Sequence, residues 1–360
     1  GTYTGRLTIT ATGEEPLRVP VELEVVGWTL PEPGHLRTWS ELVQAPDTTA
    51  VEYGLEPWSE RHWDMIARAM DLIHETSSRV IYVPLICQTN LGNEQSMVRW
   101  VPKGDGTYDY DFSVMERYLD TALEHLGRPK VVVLQVWDVY MIQQDKIRLN
   151  SSHSQEERAL NHLGKRGAHV GKGPIVTMPD PAEGSGKPVE LPRFTEAGSR
   201  ELWEPVFKGV LKRLRARGLA DVAMLGMMPD AWPTNDESRL FKELSGDLPW
   251  VSVSHMGVPD WRLHDVAEVG YQSTVTQNKY ANDDPPMGSK HGWRRPELFA
   301  EYARGENYLR CPASRLRHTG EFNITGRQRG AARIGADFWY AVKDRHGDRR
   351  GRVADRYPHS

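Results

Sequence analysis

The sequence predicts an α/β chain, a (β/α)8 TIM-like barrel preceded by the remnant of a β-sandwich. Three observations predict it. Short apolar runs that read as buried strands recur with amphipathic helical segments between them. The strand candidates are numerous enough to favour a closed barrel over an open doubly wound sheet, and no Gly-rich phosphate loop follows the first of them. Residues 1–27, by contrast, alternate in the strand manner with no helix among them.

In that first stretch Tyr3, Leu7 and Ile9 share one face, and Val19, Val21, Leu23 and Val25 repeat the pattern after a turn at Thr12 to Pro16. Two strands do not stand alone in water, so they read as the last hairpin of a β-sandwich or as a lid packed on the barrel. Trp28 to Gly34 is a Pro/Gly linker, which sets the expected boundary between residues 1–29 and a barrel over residues 30–360. Ser59 caps a helix with the stripe Trp63, Ile66, Met70 and Ile73. Val80 to Ile86 is a strand. Asp111 caps the next helix, which Gly127 stops. Lys130 to Trp137, KVVVLQVW, is the clearest buried strand. Residues 140–192 form a long polar insertion, read as a flap over the barrel mouth. A third helix carries Leu202, Val206, Val210 and Leu214 and stops at Gly218. The stretch Val222 to Phe241 then reads as strand, polar loop and helix, with the strand broken at Gly226 and Thr234 and Glu237 at capping-box spacing. Further strands are expected at Trp250 to Ser254, Val266 to Tyr271, Tyr308 to Cys311 and Ala332 to Tyr340.

The totals narrow the function. The chain has 360 residues and a formal net charge of −4, ample for a full core and no invitation to nucleic acid. No run approaches the roughly 18 apolar residues of a membrane span. Cys87 and Cys311 make no disulfide framework and read as two buried thiols. Twelve tryptophans are a surplus, which serves either the core or the stacking of sugar rings. The chain opens on Gly1, already strand-like, and reads as the middle of a longer protein. No cofactor is implied.

Catalytic residues of a barrel come from the ends of its strands. Asp138 directly follows the buried strand, with Trp137 beside it to stack on a ring; otherwise it caps a turn. Asp230 lies just past Gly226 in the same placement, and Trp232 is a pocket wall or a packing residue. Glu321, preceded by Arg315, Arg317 and His318, suits a base or an orienting group, or a plain ion pair. His255 closes a strand and is placed to bond a ligand hydroxyl; its spacing to Asp260 and His264 matches no zinc pattern, so no metal is expected. Trp293 stands among Lys290, Arg294 and Arg295, as a sugar contact or a solvated rim. Asp236-Glu237 is an acid pair whose positions also suit a helix start. The catalytic candidates are therefore Asp138, Asp230 and Glu321, and the sugar-holding candidates Trp137, Trp232, His255 and Trp293. Together they point to hydrolysis of glycosidic bonds by two carboxyl groups. A non-catalytic glycan-binding barrel and a metal-dependent barrel hydrolase or lyase are the alternatives.

GTYTGRLTIT running into WTLPEP, DGTYDYDFSVMERYLD, the strand ending in GMMPDAWP, and GAARIGADFW together resemble glycoside hydrolase family 123 over most of the chain. The resemblance implies an N-terminal β-sandwich joined to a catalytic barrel, exo-acting β-N-acetylgalactosaminidase activity, and a secreted or periplasmic location. It also implies substrate-assisted retention, in which an Asp orients the sugar's acetamido group and the adjacent Glu protonates the leaving oxygen. Here Asp138 is followed by Val139 and Asp230 by Ala231, while Asp236-Glu237 is a true pair.

Overall fold

The structure, a computed structural model, describes residues 1–36, 39–89, 93–138, 141, 173–180, 186–228, 232–254, 258, 261–275, 297–300 and 330–337. The chain divides into two compact units, Gly1–Leu36 and Arg37–Ser360. In the first, β1 (Thr2–Ile9) pairs antiparallel with β2 (Leu17–Glu24), with Tyr3 opposite Leu23, Leu7 opposite Val19 and Ile9 opposite Leu17. The period of two puts these apolar pairs on one side of the hairpin. That side is open: Tyr3 is 63% and Leu23 58% exposed.

The second unit runs in chain order β3 (Trp39–Val43), α1 (Pro46–Tyr53), α2 (Glu60–Glu75), β4 (Val80–Pro84), β5 (Arg99–Pro102), β6 (Tyr108–Asp111), α3 (Ser113–Thr121) and β7 (Val131–Gln135). It continues with β8 (Ile175–Met178), β9 (Lys187–Glu190), α4 (Ser199–Ala216), β10 (Ala223–Met228), α5 (Asn235–Ser245), β11 (Trp250–Ser254), β12 (Arg262–Leu263), β13 (Ala267–Val275), β14 (Glu297–Ala300) and β15 (Gly330–Gly335). The main sheet has the order β3-β15-β14-β13-β11-β10-β7-β4, parallel throughout, with β12 antiparallel on β13. Along this path each strand lies beside the next one the chain supplies to it, and the last strand, β15, lies beside the first, β3. The fold is mixed α/β. The closed cylinder expected from the sequence is not detected, because the hydrogen-bonded path ends at β3 and at β4. Side chains span those two strands instead. Gln44 donates from Nε2 to the Val80 carbonyl at 3.1 Å. Its Oε1 accepts from the Tyr82 N–H at 3.3 Å.

The sheet separates two cores. Its outer face meets α2, α3, α4 and α5 through Ile81, Val83, Val132, Leu134, Leu225 and Trp250 against Trp63, Met70, Leu119, Trp203, Phe207 and Phe241. Its inner face gathers Val43, Val80, Tyr82, Val131, Val133, Val251, Val253, Tyr271 and Ala332. Tryptophans 63, 100, 137, 203, 250 and 261 are buried, so half of the twelve serve the core.

The helices start where their caps put them. The Ser59 side chain accepts from the His62 N–H at the start of α2. Thr234 and Glu237 form the expected capping box on α5. Asp111 serves α3 from one position further out, its Oδ1 accepting from the Ser113 N–H at 2.8 Å while Phe112 occupies the cap. Gly226 does not break its strand, since β10 runs through it. The glycine is there for packing: a Cβ on it would lie 2.2 Å from Val133 Cγ1. Within the expected insertion, residues 175–178 and 187–190 are strands. With β5 and β6 they form a second sheet of order β6-β5-β8-β9. Ile175, Val176 and Met178 are apolar enough to be buried there. The last strand, β15, begins and ends earlier than expected. The strand expected at Tyr308 to Cys311 lies outside the described residues.

Candidate active site

Parallel strands deliver the residues that follow them to one end of the sheet, and the best-defined delivery is from β7. Its end is pinned on both sides. The Leu85 N–H donates to the Gln135 carbonyl at 2.9 Å, and the Val136 N–H donates to the Gly226 carbonyl at 2.7 Å. Trp137 and Asp138 follow at once, 1% and 0% exposed. The Asp138 carbonyl accepts from the Met141 N–H at 3.1 Å. A carboxyl thus stands shielded from bulk water at a strand end.

Other strand ends carry further ionisable groups that the local sequence pattern does not single out. Asp47 opens α1 after β3, and its Oδ2 accepts from the N–H groups of Glu94 and Gln95 at 2.7 and 3.0 Å. Burial pushes its carboxyl up to about 7 despite those bonds. Asp337 follows β15, and its Oδ1 accepts from the Ala45 N–H at 2.5 Å. Burial raises it to about 7 as well. Arg99, on β5, donates to Gln95 Oε1 and lies over the Trp58 ring at 5.9 Å; its burial lowers its proton affinity. Cys87 is a buried thiol bonded to Thr177 Oγ1 at 3.2 Å, and burial pushes it up to about 11. The only local signal for Asp47 and Asp337 was position, a few residues beyond an apolar run.

Trp232 is 37% exposed and meets His264 edge-on at 5.6 Å between centroids. His264 in turn bonds the Pro233 carbonyl at 2.7 Å. The pair ties the segment before α5 to the turn before β13. Asp236-Glu237 belongs to the helix start: the Glu237 carboxylate accepts from the Thr234 N–H at 2.7 Å, and Asp236 is exposed beside Arg239 at 3.1 Å. Asp230, Glu321, His255 and Trp293 lie outside the described residues. Among the described residues no group of three His, Cys, Asp or Glu side chains is arranged to hold a metal ion. Among them, too, no helix is long and apolar enough to cross a membrane.

A helix-flanked parallel sheet with carboxyls at its strand ends has the architecture of an α/β enzyme. The glycoside hydrolase 123 catalytic domain matches residues 43–284, more than half of the sequence, and the chain belongs to that family. In three dimensions the chain is similar to a family 123 glycoside hydrolase from Clostridium perfringens, whose structural analysis concerned glycolipid glycan hydrolysis. That likeness has a TM-score of 0.65 at 13% identity, covering 93% of this chain and 55% of the other. The chain therefore spans little more than half the length of that protein. No curated protein matches the sequence.

Proposed function

We propose that the protein hydrolyses glycosidic bonds of an oligo- or polysaccharide with two carboxyl groups at the C-terminal ends of its parallel strands. The observation that carries this reading is Asp138, buried at the end of β7 inside the segment that matches the family's catalytic domain. Asp138 and Asp230 are the pair, one donating a proton to the leaving oxygen and the other acting as base, nucleophile or orienting group. Glu321 is the third candidate, and Trp232, His255 and Trp293 hold the sugar, whereas Trp137, 1% exposed, packs within the core cluster as a wall of the strand end. We read the sheet as a (β/α)8 barrel. The sequential strand order, β15 beside β3, and the Gln44 bridge from β3 to β4 support this. We read the Gly1–Leu36 hairpin as part of a β-sandwich, supported by its one-sided apolar face.

Glycolipid glycans and chains ending in β-linked N-acetylgalactosamine head the list of substrates to test, on the family match and the structural likeness. A substrate-assisted route needs an Asp-Glu pair at the reacting centre, and in Asp236-Glu237 the Glu is engaged in the helix cap and the Asp pairs with Arg239. Two separate protein carboxyls are therefore favoured. Sugars with a 2-hydroxyl in place of the 2-acetamido group separate the routes, because only the two-carboxyl route turns them over. The test of the whole reading is the purified protein on a panel of natural glycans, beside Asp138→Asn and Asp230→Asn. Each substitution should lower kcat by at least about 100-fold with the melting temperature nearly unchanged. Wild-type rates in both variants on a cleaved glycan would defeat the assignment.

A further inference from the structure

Gln135 is the last residue of β7, three positions before Asp138. The strand alternates as strands do: Val132 and Leu134 join the outer core, while Val131 and Val133 join the inner one with Tyr82, Val251, Val253 and Tyr271. Gln135 continues the inner row at the end where the strands deliver their catalytic residues. Its side chain is 0% exposed, and among the described residues neither Nε2 nor Oε1 has a hydrogen-bond partner. Its neighbours in register explain this. On β4 it faces Pro84 and on β10 it faces Gly226, and neither side chain carries a polar atom. On β13 the same inner face carries Ser273, in register with the inner residue Val253, buried and with its Oγ also unpartnered. A buried amide that bonds nothing is costly, and nearly all buried polar groups in folded proteins are satisfied. An amide with both atoms open, placed above a Val and Tyr interior and just before a shielded carboxyl, has the form of a site waiting for polar substituents.

We propose that Gln135, with Ser273, is a ligand-binding residue of the site headed by Asp138, donating from Nε2 and accepting at Oε1 to the ring substituents of the bound sugar. The proposal rests on the glycoside hydrolase reading above. It is tested with Gln135→Met, which keeps length and removes both polar atoms, and Ser273→Ala, which removes one hydroxyl. Both are measured by thermal melting without ligand and by kcat/KM on 4-nitrophenyl β-N-acetylgalactosaminide, or on whichever glycan of the panel is cleaved. An amide kept for a ligand does nothing for the empty fold, so Q135M should melt at or above the wild type while kcat/KM falls about 10- to 100-fold. S273A should lose kcat/KM in the same direction with its melting unaltered. Wild-type kcat/KM in both variants overturns the proposal while leaving the hydrolase reading intact. A ligand-free Q135M that melts several degrees lower also overturns it, since the interior then satisfies the amide. A wild type that cleaves nothing in the panel defeats the hydrolase reading and, with it, the sugar as the ligand.

Discussion

Asp47 and Asp337 show what burial does to a single residue. Each is an acid whose folded form holds its proton up to about 7, against an ordinary value of 3.8. Around Asp47 stand the Glu94 carboxylate and Asp337, which raise it further, and Arg99 and Cys87, which it also influences; Tyr118 feels both acids. The folded state therefore binds more protons than the unfolded chain between about pH 4 and pH 7, and stability falls as pH rises through that window and levels off above it. One acid contributes at most about 4 kcal/mol to this slope. Urea unfolding at pH 5 and pH 8 should find the protein more stable at the lower pH, and Asp337→Asn should flatten the difference. Equal stabilities in the wild type would show that the two carboxyls are ionised in the fold. None of this was legible in the sequence. Asp138 was, because an apolar run points directly at it, whereas the burial of Asp47 depends on the loop at Glu94 and Gln95, far along the chain.

At the scale of the element, glycine carries the clearest test. Gly226 sits within β10, where any side chain would meet Val133 on β7. Gly226→Ala should cost about 1–3 kcal/mol by overpacking, read as a lower midpoint in urea. An unchanged midpoint would mean that β7 and β10 have room to part. The sequence suggested a strand end there because glycine is a poor strand former when considered alone. Caps were read more surely. Thr234 and Glu237 sit three positions apart, and the bonds they make are local. The strands β8 and β9 were hidden for the opposite reason, since each is four residues long and β8 gains its place by pairing with β5, far away in the chain.

For the whole molecule, Glu41 is the residue that joins distant parts. It lies on β3, fully buried, and accepts from the Tyr82 hydroxyl of β4 and from the Tyr271 hydroxyl of β13 at 2.9 Å. One carboxylate thus ties both ends of the hydrogen-bonded path to a strand in its middle. Tyr271→Phe removes one donor from a buried carboxylate and should cost roughly 1–3 kcal/mol, measured by urea unfolding. A variant as stable as the wild type would mean that the link between β3 and β13 contributes nothing to the fold.

The sequence by itself determined the β-then-α rhythm, the helix caps, the buried strand that leads into Trp137-Asp138 and the family resemblance. Each of these rests on short spacings, where periodicity and capping chemistry act between near neighbours. Only the tertiary structure decided that Gln44 and not a backbone ladder spans β3 and β4, and that Asp47, Asp337 and Gln135 lie away from water. Burial and strand pairing are set by residues far apart in the chain, and no local pattern carries that information.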